Sequence, residues 1–189
     1  MKLKMQALLL VAVIGSTLGV AQASRDSDAA ALFRKSEQSN GYFGSSYGYA
    51  VFPTIGKGGI GIGAAHGSGH VYQRGKRIGR VTMNQLSVGL QLGGQAYSQI
   101  IFFKDKSAVD EFTSGNFEFS GDIGAVAITA AANASAGTKG ADAGASVGKH
   151  DAATAGEYTK GMAVFTIAKG GLMYQASIGG QKFSYKKTP

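Results

Sequence analysis

The stretch AVFPTIGKGGIGIG (residues 50–63) restricts most severely what this chain can fold into. Five of the eight residues from Gly56 to Gly63 are glycine, and Gly59, Gly61 and Gly63 alternate with Ile60 and Ile62. Glycine costs a helix about 1 kcal/mol per residue relative to alanine, so this stretch is no helix. A repeat of two is that of a strand, whose side chains point alternately to its two faces. Ile60 and Ile62 are expected to enter a core, leaving the glycine face bare. Nearly the same word, AVFTIAKGG, returns at 163–171. Two copies do not make a solenoid. They predict two related strand-turn-strand units in one sheet system, with Gly58-Gly59 and Gly170-Gly171 as turns and Lys57 matched by Lys169.

The Gly-Lys-Gly run invites a phosphate-loop reading, which the spacing refuses. That loop needs G-x-x-x-x-G-K-[ST] followed by a helix. Here Val51 stands where the first glycine belongs, Gly58 follows Lys57, and the next residues alternate like a strand. Begun at Gly61 and Gly63, the dinucleotide pattern G-x-G-x-x-G fails as well, because His66 occupies its third glycine position, and the whole stretch alternates like a strand where that fingerprint needs a helix to follow.

The rest of the chain reads mainly as strands. Pro53 suits a strand end or an edge. HVYQRGKRIGRVTM (70–83) predicts a hairpin around Arg74-Gly75-Lys76. QLSVGLQLGGQAYSQIIFF (85–103) places Leu86, Val88, Leu90 and Leu92 on one face, with a bulge or bend at Gly93-Gly94 and a buried run from Ile100 to Phe103. Residues 26–39 predict a helix capped by Asp26 or Ser27 and ended at Asn40-Gly41. GYFGSSYGY (41–49) reads as an aromatic linker. A shorter helix is expected over 104–115, capped by Asp105 or Ser107, with Ala108, Val109 and Phe112 inward and Gly115 as the stop. Residues from 116 alternate like a strand. The Ala, Gly, Ser and Thr block at 131–146 buries too little area to pack and is expected to be flexible or loosely hairpinned. The last block holds three strand-like pieces. The fold class is therefore mainly β (α+β): an antiparallel β-sandwich or barrel-like domain with an N-terminal helix and one short internal helix.

Residues 1–23 predict a cleaved signal peptide: basic MKLK, an apolar run, and AQA before cleavage after Ala23. Residues 24–189 then form a single domain. The chain has no cysteine, which excludes disulfides, thiol catalysis and a lipoprotein anchor. A periplasmic or secreted location follows. The formal charge is +8, with Lys2 and Lys4 inside the signal segment. A basic surface favours anionic partners. For an exported chain, phospholipid is the expected one and nucleic acid is not.

Arg74, Lys76, Arg77 and Arg80 cluster on one hairpin, and Lys182, Lys186 and Lys187 end the chain. The candidate headgroup-binding residues are Lys57, Arg74, Lys76, Arg77, Arg80 and Lys169. Gly59, Gly61 and Gly63 form a bare strip that would accept part of an acyl chain; close sheet packing is the plainer reading. His66 and His70 are expected as exposed turn residues, without an acidic third ligand for a metal. GASVG (144–148) has the wrong register for a nucleophile elbow, so no catalytic residue, metal or cofactor is expected.

These residues have a precedent. The run YAVFPTIGKGGIGIGAAHGSGHVYQRGKRIGRV, then QLSVGLQLGGQAYSQIIFF, KSAVDEF and GMAVFTIAKGGLMYQASIGG resembles, in order and spacing, the SYLF domain. The resemblance covers nearly all of residues 27–187. It implies one domain rich in antiparallel β-structure with flanking helices, binding of phospholipids, sometimes of actin, and no enzyme activity. Many exported bacterial relatives look like lipoproteins, and this chain lacks the required cysteine. The family's lipid contacts are associated with basic residues and an amphipathic N-terminal segment; at 27–39 the amphipathicity is weak. The expected function is a non-enzymatic phospholipid-binding module of the cell envelope. The alternative is a structural or interaction factor that meets another envelope or host protein.

Overall fold

The computed structural model describes residues 21, 23–119, 125–128, 157–169 and 180–188. The expected signal segment, apart from its last residues, and the small-residue block at 131–146 lie outside them. So does the turn expected at Gly170-Gly171.

An N-terminal helix, α1 (23–35), is followed by two single turns, α2 (Glu37–Asn40) and α3 (Tyr42–Ser45). Two very long strands come next, β1 (Gly48–Gln73) and β2 (Lys76–Phe103), then α4 (Lys106–Phe112), β3 (Asn116–Glu118), β4 (Ala125–Ile128), β5 (Met162–Ala168) and β6 (Gln181–Lys187). The β1–β2 turn falls where the sequence puts it. Arg74 and Gly75 both take positive φ, 49° and 78°, the pairing that a two-residue hairpin loop requires to match the twist of its strands.

β2 is the spine of the sheet. β1 pairs along one edge of it. On the other edge β6 pairs with residues 79–85 and β5 with residues 97–103. β3 extends the sheet from β6, and β4 joins β5 in parallel. Among the described residues the order β3-β6-β2-β5-β4 leaves two unjoined ends, so the sheet is not closed into a barrel.

The glycine-rich stretch is not a turn. Gly58 and Gly59 lie within β1, opposite Gly94 and Gly93. What the glycines permit is a fold-back of the strand on itself. A Cβ at Gly48 would sit 2.5 Å from the Tyr72 carbonyl oxygen, and one at Gly67 would sit 2.5 Å from Ile55 Cγ1. At Gly69 it would lie 2.9 Å from the Val51 carbonyl carbon and nearer still to its oxygen; at Gly59 it would lie 2.6 Å from Gly63 Cα. Position by position, residues 48–55 run back along residues 67–73, with the crease near 60. The Tyr49 and Tyr72 rings stack at 5.1 Å between them, and the Arg74 amide donates to the Tyr47 carbonyl at 3.4 Å. A long hairpin creased in this way brings the two halves of β1 into contact within one supersecondary unit. Pro53 sits at the register shift between Phe52 and Ile55, where a missing N–H breaks no ladder.

The repeated words flank β2 from opposite edges, one residue out of step. Ile101 pairs with Ala50 on one side and Val164 on the other. Side chains alternate, so the same letters face opposite ways. Ala50, Phe52 and Val164 join one core cluster, whereas Val51, Ala163 and Phe165 join the other. The first cluster includes Val71, Val81, Met83, Phe103 and Phe183 and is closed by Ala108, Val109 and Phe112 of α4. That helix forms as its sequence dictates: Asp105 caps it by accepting from the Ala108 amide at 3.0 Å. The second cluster is covered by α1 through Ala29 and Phe33, with Tyr42 and Phe43 of α3 against Phe102. The expected linker is thus an aromatic wedge. Gln99 and Gln181 exchange amide bonds across the buried sheet at 2.9 and 3.1 Å, satisfying groups whose burial is costly when unpaired.

Ile62 departs from its expected core position. It is 67% exposed, and Leu86, across the ladder, is 79% exposed. Buried Gly63 and Ala65 take the inner face instead, where Gly59 closely approaches the backbone of Ile62 and Gly63. The side chains of Ile60, Val88, Leu90 and Leu92 lie outside the described residues.

Candidate functional site

The end of the hairpin carries the charge. Arg74 occupies the turn, its guanidinium 5.1 Å from the centroid of the Tyr47 ring, a cation–π contact that props it outward. Lys76 and Arg77 follow on β2 and are exposed. Arg80 is exposed too, and its Nη2 donates to Ser68 Oγ at 3.4 Å. The pairing with β6 then adds Lys186 opposite Arg80 and Lys187 opposite Gly79. Six cations are thereby gathered at one end of the sheet. The C-terminal lysines are conspicuous in the sequence, but only the β2–β6 register sets them beside the hairpin. Farther along β6, Lys182 meets Glu118 at 3.5 Å, both more than half exposed, an arrangement of little energetic weight.

Lys57 and Lys169 do not join this group. Lys57 pairs with Gln95, whereas the Lys169 amide bonds to the carbonyl of Ala96. Adjacent positions of a strand face opposite ways, so the register does not set the two lysines side by side. Lys169 Nζ is committed to Thr54 Oγ1 at 3.0 Å. Lys57 is partly buried, and desolvation lowers its pKa. Of the glycine strip, the space beside Gly59 is taken by the backbone of Ile62 and Gly63; the close approach there is the chain's own.

The two histidines differ from expectation. Neither lies in a turn. His66 is exposed on β1, with Nδ1 2.7 Å from Asn84 Oδ1. His70 is buried, with Nδ1 2.6 Å from Asp26 Oδ2, the oxygen to which the Tyr72 hydroxyl also donates at 2.8 Å. Burial, and then the bond to Asp26, raises the Tyr72 pKa. Asp26 is therefore no helix cap. It lies inside α1, 1% exposed, and clasps that helix to the outer face of β1. A sequence rule that places Asp at helix starts cannot see a partner 44 residues away. Among the described residues no three His, Cys, Asp or Glu side chains converge as a metal site, and no helix is long and apolar enough to cross a membrane.

Comparison with known proteins places the chain in a family. Residues 84–188 match the family model described as Ysc84, Las17-binding protein actin regulator. The chain is also 30% identical over 155 residues to Beta cell expansion factor A of Aeromonas veronii, covering 80% of this chain and 51% of that protein. It thus spans about half the length of that curated relative. The family match alone covers more than half of the sequence, from Asn84 in the first third of β2 through β6, and the chain belongs to the Ysc84/SYLF family.

Proposed function

We propose that this chain is a non-enzymatic module of the cell envelope that docks on anionic phospholipid surfaces through the hairpin end and the adjoining β6. The observation that carries this reading is the convergence of Arg74, Lys76, Arg77 and Arg80 with Lys186 and Lys187. Near an anionic bilayer each basic residue contributes about 1 kcal/mol. Such a patch binds firmly at low ionic strength and releases as salt shortens the screening length to about 10 Å at 0.1 M. The signal-like N-terminus makes the periplasm or the exterior the place of action.

Vesicle flotation tests this. The chain is expected to float with phosphatidylglycerol vesicles, to stay behind with phosphatidylcholine alone, and to lose the preference as salt rises. Reversing charge at Arg74, Lys76 and Arg77 to glutamate should abolish flotation without lowering the melting temperature. Binding that ignores lipid charge, or survives the triple reversal, overturns the headgroup reading in favour of a protein-docking factor. The family description, with its Las17 binding and actin regulation, supports that rival.

A further inference from the structure

The outer face of the distal half of the hairpin is covered at one end and open at the other. Residues 62, 64, 66, 68, 70 and 72 of β1 alternate onto this face. α1 covers its 70–72 end through the Asp26 clasp. Beyond that clasp, Ala64 pairs with Leu86, and Ile62 stands diagonally across from Leu86, a separation of about 7–8 Å that side chains bridge. Ile62 and Leu86 are the two most exposed large apolar side chains among the described residues. Scattered exposed leucines need no explanation. Two neighbours on one sheet face, at the crease of the hairpin, do.

The same face carries positive charge. Antiparallel partners share a face, so Lys182 beside Asn84, Ser184 beside Thr82 and Lys186 beside Arg80 all lie on it. Lys182 is one pleat repeat from Leu86, and Arg80 is six residues away, about 20 Å along the strand. Glu118 adjoins this row beside Lys182, and Asp26 is buried against His70 at its covered end. A second copy stacked here would set the cations of one face against those of the other. An anionic bilayer supplies the opposite charge at headgroup level and a solvent for the apolar pair just below it, while lysine stems span the boundary.

We propose that Ile62 and Leu86 form a wedge that enters the acyl layer while Arg80, Lys182 and Lys186 hold headgroups around it. This rests on the anionic-membrane reading above and adds to it: the chain inserts at the hairpin crease and does not merely adsorb.

The chain has no tryptophan, so Leu86→Trp makes a clean single reporter. With phosphatidylglycerol–phosphatidylcholine vesicles its emission is expected to shift blue and to be quenched by bromine-labelled acyl chains. Glu111→Trp, on α4 against the opposite face, is expected to show neither change. Leu86→Ser should lower vesicle partitioning by roughly tenfold while leaving its salt dependence and the protein's melting temperature as they were, since the apolar contribution is unscreened. If the protein floats but the Leu86→Trp reporter is neither shifted nor quenched, and Leu86→Ser floats unchanged, insertion is refuted and the headgroup reading stands. If no variant floats, both fall. A reporter already shielded without vesicles, with the mass of a dimer, assigns the patch to a second copy and overturns the wedge.

Discussion

Gly69→Ala tests the fold-back of β1 on itself. In β1 this residue passes so close to Val51 that an added Cβ would lie 2.9 Å from the Val51 carbonyl carbon and 3.0 Å from Phe52 Cδ1, and nearer still to the Val51 oxygen. The obstacle is mostly backbone, so no rotamer change relieves it. The two halves of β1 must separate, and with them the stacked Tyr49–Tyr72 pair and the packing around Val51, Phe52 and Val71. Overpacking of this kind costs about 3 kcal/mol. For a chain of this length, roughly 2–4 °C of Tm is lost per kcal/mol, so a fall of about 6–12 °C is expected. Gly56→Ala is the control. It lies in the same strand, yet an added Cβ there meets nothing within 4 Å. Relief of glycine's unfolded-state entropy should leave it neutral or more stable by about 0.5 kcal/mol. Thermal and urea melts followed by circular dichroism read both. If Gly69→Ala melts with the parent and Gly56→Ala, the two halves of β1 are not in contact and the creased hairpin is wrong.

Two further outcomes follow from the buried polar groups. Asp26→Ala leaves His70 and Tyr72 without their shared acceptor; a loss of about 3 kcal/mol in urea unfolding is expected, with Tyr72→Phe costing about 1 kcal/mol. Equal stability of Asp26→Ala and the parent would mean that α1 is not clasped there. Burial pushes the Tyr97 hydroxyl up to about 12, opposed only by its bond from Gln181. Its folded pKa lies above the unfolded value, so the folded state holds the proton longer. The associated stability is complete below pH ~10 and is lost as pH climbs toward about 12, with a slope of up to about 1.4 kcal/mol per pH unit. Burial also raises Tyr42, Tyr49, Tyr72, Tyr158 and Tyr185, so Tyr97→Phe should make the alkaline limb shallower by one group's share; an unchanged limb would assign it wholly to the others.

Local rules were enough wherever the cause was local. The Arg74-Gly75 turn, the Asp105 cap and the inward side of α4 all follow from neighbouring residues, and each stands where the spacing puts it. The candidate site was only partly legible. Its hairpin cations are adjacent in sequence. Lys186 and Lys187, in contrast, come beside them through a strand pairing that spans more than half of the chain. The repeat misled for the same reason. Identical words adopt opposite facing when their registers against β2 differ by one residue, and register is decided between strands, not within them.

Composition and periodicity alone determined that this chain is mainly β, that its glycine-rich stretch is extended and not a phosphate loop, and that its surface is basic. Tertiary structure alone decided what the glycines at 48, 59, 67 and 69 are for. A bare strand face permits a ligand, a turn or another backbone equally well, and a period of two does not distinguish them. The choice was made when residues 48–55 met residues 67–73, because backbone approaches backbone at that distance only where no Cβ intervenes. In the same fold Ile62 and Leu86 face outward and His70 is buried against Asp26.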